Sequence, residues 1–356
     1  MFINIWALKS IKISVRGICY NSLRIQFLNP GGVMKKILIL LISSFFILSG
    51  CALHFHLDLL GKEQIKEVIL IKSKAKEKIL ILDVSGIIGS SLRPGVLQRE
   101  GDILSQVYYR LEKASEDKMV KGVILRLDTP GGEVTASDIL YNEIIKFKER
   151  TGIPVVALTM GLAASGGYYI ASACDYIIAH PSTITGSIGV ISIFPNLQEL
   201  FTKIGIKVNV IKSGKMKDSG STFRELTEEE KAVFQGIVDE FYNKFLDVVY
   251  ERRKNSLSLE ELKKIADGRV YTAQQAYNLK LIDEIGYFDS ALKKIFSSAS
   301  LKDAKVIAYT YYPNTKTNIY ASHLKNPNIM EGKDFEKIFR SLKSGFYYLW
   351  LPQLTN

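Results

Sequence analysis

Acyl transfer needs a nucleophile, a base that takes its proton and donors for an oxyanion, and this chain offers candidates for each. Ala163-Ala164-Ser165-Gly166-Gly167-Tyr168-Tyr169 follows the apolar run IPVVALT and leads into YYIASAC. Such a junction exposes a hydroxyl beside backbone N–H groups that can hold an oxyanion; close packing of small residues is the plainer use of the same stretch. Asp128-Thr129-Pro130-Gly131-Gly132 stands between another apolar strand and a helix. Its two glycines let the backbone turn sharply and approach a ligand, or they simply connect the two elements. In TITGSIGV (183–190), Ser187 lies between Gly186 and Gly189, a pattern that ordinary turns also use.

A serine hydroxyl is a weak nucleophile until a base takes its proton. Of the four histidines, His54 and His56 lie next to an N-terminal apolar segment and His323 lies in the tail, which leaves His180, in AHPST at a strand end. The lysine candidates are Lys212, Lys215 and Lys217, clustered in KSGKMKDSGSTFREL directly after the apolar run VNVI. A lysine in water has a pKa of about 10.4, so roughly one in a thousand is neutral at pH 7. Burial has to lower that value before the amine can act as a base. Lysine clusters also serve as solvated surface, so the residues alone leave the base open between His180 and these three. No His-x-x-x-His pair, Cys-x-x-Cys pair or P-loop is present, and the expectation is that no metal or nucleotide cofactor is needed.

The elements that must position these groups are legible. From Lys78 onward, KILILDVSGII, GVILRLD and IPVVALT alternate with ILSQVYYRLEKASED and ASDILYNEIIKFKER. Near-continuous apolar strands separated by helices of ten or more residues predict βαβ units and a sheet covered on both faces. YIIAHP and VNVIKSG (208–214) predict further strands, and NLQELFTKIG a short helix between them. Thr227 with Glu230, Ser258 with Glu261 and Thr272 with Gln275 each carry the capping-box spacing that starts a helix. After Thr227, the residues Phe234, Ile237, Val238, Phe241, Phe245 and Val248 recur on one helical face.

The net charge of +11 is concentrated at the N-terminus, where residues 1–50 carry six Lys or Arg and no Asp or Glu, leaving +5 for residues 51–356. No basic stripe interleaved with aromatics follows, so nucleic acid is not an expected partner. Met34-Lys35-Lys36, the apolar run Ile37–Leu48 and the exit Leu48-Ser49-Gly50-Cys51 have the layout of a secretory signal. The run of 12 residues falls short of the roughly 20 that span a bilayer as a helix. The domain reading is therefore an upstream extension ahead of the true start (1–33), a signal peptide (34–50), a membrane-proximal linker (51–77), an enzymatic domain (78–297) and a C-terminal extension (298–356). Cys174 then has no intrachain partner once Cys51 is modified, which excludes a disulfide framework.

Taken together, DTPGG (128–132), GLAASGGYYIASACD (161–175), TITGSIGV (183–190), KSGKMKDSGSTFRELT (212–227) and DGRVYTAQQAYNLKLIDEIG (267–286) resemble, in order and spacing, the signal peptide peptidase A (protease IV) family of serine peptidases in its short, single-core form. The resemblance implies an α/β fold with the crotonase/Clp-protease-like repeated ββα core and additional helices. It implies Ser165 as nucleophile, Lys217 as general base, Ser187 as the residue that orients the lysine, and Gly131, Gly132 and the N–H of Gly166 as the oxyanion hole. LSGC resembles a lipobox, which implies lipid on Cys51. The family further implies homo-oligomeric rings with active sites at protomer interfaces, and remnant signal peptides and other unfolded hydrophobic segments as substrates. The enzyme is thus expected at the bacterial cell membrane, anchored by its N-terminus with the catalytic domain on the exported side. Thr222 stands where the family often has Pro, a departure that bears on loop stiffness. The competing readings are a Ser/His hydrolase using His180 on the same fold and a non-catalytic, lipid-anchored scaffold.

Overall fold

Near-continuous apolar runs form the strands, and amphipathic segments between them form the helices. A computed structural model describes residues 65–89, 103–311, 318–321 and 344–350, all within the unit Glu63–Asn356. The extension 1–33, the signal segment 34–50, Cys51, His54, His56 and His323 lie outside the described residues.

In chain order the elements are β1 (Lys66–Ile71), β2 (Lys78–Ser85), α1 (Ile103–Glu116), β3 (Val120–Thr129), β4 (Gly131–Glu133), α2 (Val134–Thr151), β5 (Val155–Ala164) and α3 (Gly166–Ala171). They continue with β6 (Tyr176–Ala179), β7 (Ile184–Gly186), β8 (Ile191–Ile193), α4 (Gln198–Lys203), α5 (Glu228–Arg253) and α6 (Leu259–Ile265). The last are β9 (Val270–Thr272), α7 (Ala273–Asn278), β10 (Glu284–Ile285), α8 (Phe288–Ser298), β11 (Lys305–Thr310) and β12 (Gly345–Leu349).

The main sheet runs β1-β11-β2-β3-β5-β6-β10, parallel from β11 to β10, with β7 beside the far end of β5 and β9 antiparallel to β7. Side chains alternate across its faces. Leu80, Leu82 and Val84 of β2 join Val107, Leu140 and Phe147 in one core, while Ile79 and Ile81 meet Phe288, Ala291 and Ile295 of α8 in the other. Fully burying each such side chain contributes about 1.5–3 kcal/mol, which is why a sheet covered on both faces needs unbroken apolar strands. The three capping boxes form as their spacing predicts and start α5, α6 and α7.

Two segments outside 78–297 belong to the same sheet. Lys66–Ile71 and Lys305–Thr310 pair antiparallel, and the latter pairs parallel with β2. The run VNVIKSG, expected as a strand, has no regular structure: a strand needs a ladder partner, and Val208, Val210 and Ile211 all face solvent. Among the described residues, no helix is long and apolar enough to cross a membrane.

Candidate active site

β5 does the positioning. Its first half pairs with β6 through Val156 to Thr159; after a register shift its second half pairs with β7 through Leu162 to Ala164. In that second ladder Ala164 stands opposite Gly186, so the next residues, Ser165 and Ser187, leave two adjacent parallel strands side by side. Both have left-handed backbones, φ 54° at Ser165 and φ 51° at Ser187, and both are buried, at 1% and 6% exposure. A non-glycine residue in such a conformation costs on the order of 1–3 kcal/mol and persists only where its surroundings over-determine it. Here they do. Ser165 N–H donates to Gly186 O at 2.8 Å, Ser187 N–H donates to Arg269 O at 2.8 Å, and Thr185 Oγ1 donates to Ala163 O at 2.7 Å. The elbow at Ser165 opens directly into α3, where Tyr168 and Tyr169 are fully buried.

The glycine turn closes over this elbow. Gly131 has φ 96°, and a Cβ there would lie 2.0 Å from Tyr348 O and 2.7 Å from Gly166 N, so the close approach of three chain segments requires glycine. Gly132 is held at Ile88 and stands opposite Tyr348 in the ladder between β4 and β12. Gly131 N–H donates to Thr129 Oγ1 at 3.1 Å. Gly166 N–H, by contrast, has no acceptor among the described residues and remains a donor for an incoming oxygen.

β12, Gly345–Leu349, inserts antiparallel between β4 and β8, tying the glycine turn to the strand that follows Ser187. Tyr348 anchors it: the ring stacks on Tyr169 at 5.0 Å, tilts against Phe245 at 4.8 Å, and the hydroxyl donates to Phe241 O at 2.9 Å. A run of aromatics at a chain end signals burial, but the pairing partners, more than 150 residues upstream, leave no local trace.

None of the candidate bases hydrogen-bonds Ser165 among the described residues. His180 pairs with Ser182 Oγ at 2.8 Å and sits edge-on to Tyr287, and it makes no hydrogen bond to Ser165 among the described residues. The three lysines lie on an exposed loop between α4 and α5. Lys212 bonds Asp218 at 2.6 Å and Lys215 pairs with Glu229. Lys217 makes no side-chain hydrogen bond or ion pair among the described residues, and its backbone N–H donates to Gly214 O at 3.1 Å in a turn. Of the three, only Lys217 keeps its amine unengaged. The one described thiol, Cys174, is buried and pushed up to about 12 by that burial, which leaves it inert as a nucleophile.

An α/β fold of this order, with its central strand bent into a serine elbow, is of the crotonase and Clp-protease kind, and the class it defines is a serine-type peptidase. Comparison with known proteins narrows this. The profile described as "Peptidase family S49" matches residues 147–302. A putative signal peptide peptidase SppA of Enterococcus faecium is 36% identical over 266 residues, covering 75% of this chain and 76% of that protein. A putative protease of Synechocystis sp. is 38% identical, with 66% and 79% covered, and one of Methanocaldococcus jannaschii is 36% identical, with 78% and 87% covered. The chain belongs to the SppA family of serine peptidases, family S49.

Proposed function

We propose that this chain is a membrane-associated endopeptidase that cleaves remnant signal peptides and other unfolded hydrophobic segments with a Ser165–Lys217 dyad shared between protomers of a ring. The observation that carries this reading is the pairing of a buried, conformationally strained Ser165, beside the free N–H of Gly166, with a lysine that is unengaged yet exposed in the isolated chain. The lysine loop is also where the surface is unfinished. Ile204, Ile206, Val208, Val210 and Ile211 are all exposed, and the N-terminal half of the α5 apolar face, Phe234 to Phe241, is only half-buried. A second copy seated there would cover this apolar stretch and desolvate Lys217, the condition under which its amine becomes a base.

In the reaction, Ser165 Oγ attacks the scissile carbonyl carbon while Lys217 Nζ takes its proton. The carbonyl oxygen becomes an oxyanion held by Gly166 N–H and by the turn at Gly131 and Gly132. As the C–N bond breaks, Lys217 returns the proton to the leaving amine. Water, deprotonated by the same lysine, then cleaves the acyl ester and restores the serine hydroxyl. Ser187, adjacent to Ser165 through the β5–β7 register, orients the amine. The LSGC segment supports a lipid anchor on Cys51 and an exported catalytic domain.

The test is hydrolysis of a hydrophobic signal-like peptide by the full chain purified in detergent, compared with Ser165→Ala, Lys217→Ala and His180→Ala. The first two lose on the order of 10⁵-fold or more in kcat, and the third stays near wild type. If Ser165→Ala remains active in assembled enzyme, the reading is wrong, and an equal loss in a folded His180→Ala moves the base to the histidine.

A further inference from the structure

The loop that carries Lys217 has no regular structure, yet a single side chain gathers it. Arg224 donates from Nε to Asp218 Oδ2 at 3.1 Å and from an Nη to Asp218 Oδ1 at 2.7 Å, and the same guanidinium reaches the backbone carbonyl of Asp218 at 3.3 Å. Its other edge grips Glu230, at 2.8 Å to Oε2 and again to Oε1. Glu230 is the fixed end of this bridge. It is 1% exposed, lies in the first turn of α5 and closes the capping box with Thr227. Asp218 is the loop end, the residue directly after Lys217, and Lys212 holds it from the other side. The backbone agrees: Ser219 N–H donates to Met216 O and Ser221 N–H to Asp218 O, wrapping the turn around this carboxylate.

We infer that Arg224 is a positioning residue for the peptidase reaction: by bridging Asp218 to the buried Glu230, it fixes the backbone from which Lys217 reaches Ser165. The inference rests on the Ser165–Lys217 reading. Ordering an irregular segment costs backbone entropy, so a loop that delivers a base needs a tether in place before substrate arrives. A planar guanidinium is suited to this because its fork binds two carboxylates in fixed directions, whereas a lysine in its place is a point charge on a flexible stem. None of these side chains hydrogen-bonds Ser165 among the described residues, so their effect has to pass through the placement of Lys217.

The experiment measures kcat and KM for a hydrophobic peptide on the full chain in detergent, with particle size and thermal midpoint determined in parallel, for Arg224→Ala, Arg224→Lys, Asp218→Asn and Lys217→Ala. The expected result is a fall in kcat of about 10²-fold for both Arg224 variants, the loss that follows from a misplacement of about 1 Å, with KM within about threefold and particle size unchanged. Asp218→Asn keeps the grip on Glu230 and weakens the bonds that Asp218 receives from Arg224 and Lys212; it is expected to lose about tenfold in kcat with an unchanged thermal midpoint. An assembled Arg224 variant with kcat within about threefold of wild type overturns the inference and leaves the dyad standing if Lys217→Ala is inactive. A fully active Lys217→Ala sinks the dyad and the inference with it. Failure of both Arg224 variants to assemble, or a loss that tracks particle size alone, makes Arg224 an assembly residue and also overturns the positioning role.

Discussion

Ser165 and Lys217 stand in opposite physical settings. The serine follows a ten-residue strand at the centre of the sheet, with a buried helix behind it, the β7 ladder beside it and the tail strand β12 across the glycine turn. Its strained backbone is held by hydrogen bonds and packing from within the same chain. The lysine follows an apolar run that finds no ladder partner, on a turn kept in shape by partly exposed ion pairs to Asp218 and one to the buried Glu230. Partly exposed ion pairs are individually weak, so this half rests on a clamp anchored at one buried carboxylate. The difference teaches how labour is divided on the proposed reading: folding alone shapes the elbow of the nucleophile, and the base is to be completed by a second copy.

That contrast can be broken from the folded side first. Tyr348→Ala removes a fully buried ring from between Tyr169, Phe245 and the turn at Gly131, and should cost about 3–5 kcal/mol in denaturant unfolding. A loss below about 1 kcal/mol would mean that β12 is not part of the folded unit. Ser165→Gly should act in the other direction on stability, relieving the positive φ and raising it by about 1–2 kcal/mol while removing activity. A destabilised Ser165→Gly would show that the elbow carries no strain.

On the association side, Ile211→Glu replaces a fully exposed side chain and should change folding stability by less than about 0.5 kcal/mol. The same change should shift the particle to smaller species and abolish peptidase activity; an assembled, active Ile211→Glu would exclude this segment from the interface.

The smallest expected effect concerns acid. Arg224, beside both carboxyls, holds Asp218 below the usual carboxylate range and Glu230 at about 2. A carboxyl whose folded pKa is depressed stabilises fully above its unfolded value of about 4 and loses that contribution as pH falls through the folded value. Limited proteolysis of the 212–224 loop should therefore be flat from about pH 8 to about pH 5 and rise only below about pH 4. Rising cleavage near neutral pH would mean that the clamp is not formed by these carboxylates.

Much of the fold could be read from residues alone because its signals are local. The apolar strands from Lys78 to Thr159 and the three capping boxes at Thr227, Ser258 and Thr272 each depend on neighbours within one element. Ser165 was likewise legible as a junction residue. What escaped is non-local. The adjacency of Ser165 and Ser187 comes from the parallel register of Ala164 with Gly186, and the role of Gly345–Leu349 comes from insertion between two strands far upstream. The failed strand at 208–214 shows the converse: the apolar pattern was present, but a pattern specifies burial without specifying which chain supplies the partner. The Arg224 bridge spans equal steps of sequence to Asp218 and Glu230, yet a mixed-charge loop has many such spacings, and only the fold selects the pairs that form.

The most direct measurement of the central claim mixes two inactive enzymes. Full-length Ser165→Ala and Lys217→Ala are co-assembled in equal amounts and assayed on a hydrophobic peptide. If the serine of one protomer works with the lysine of its neighbour around a ring, one interface in four carries both groups, and activity should return to about one quarter of wild type. Activity that stays at the level of the separate variants, in particles shown to contain both, would contradict a site built across protomers.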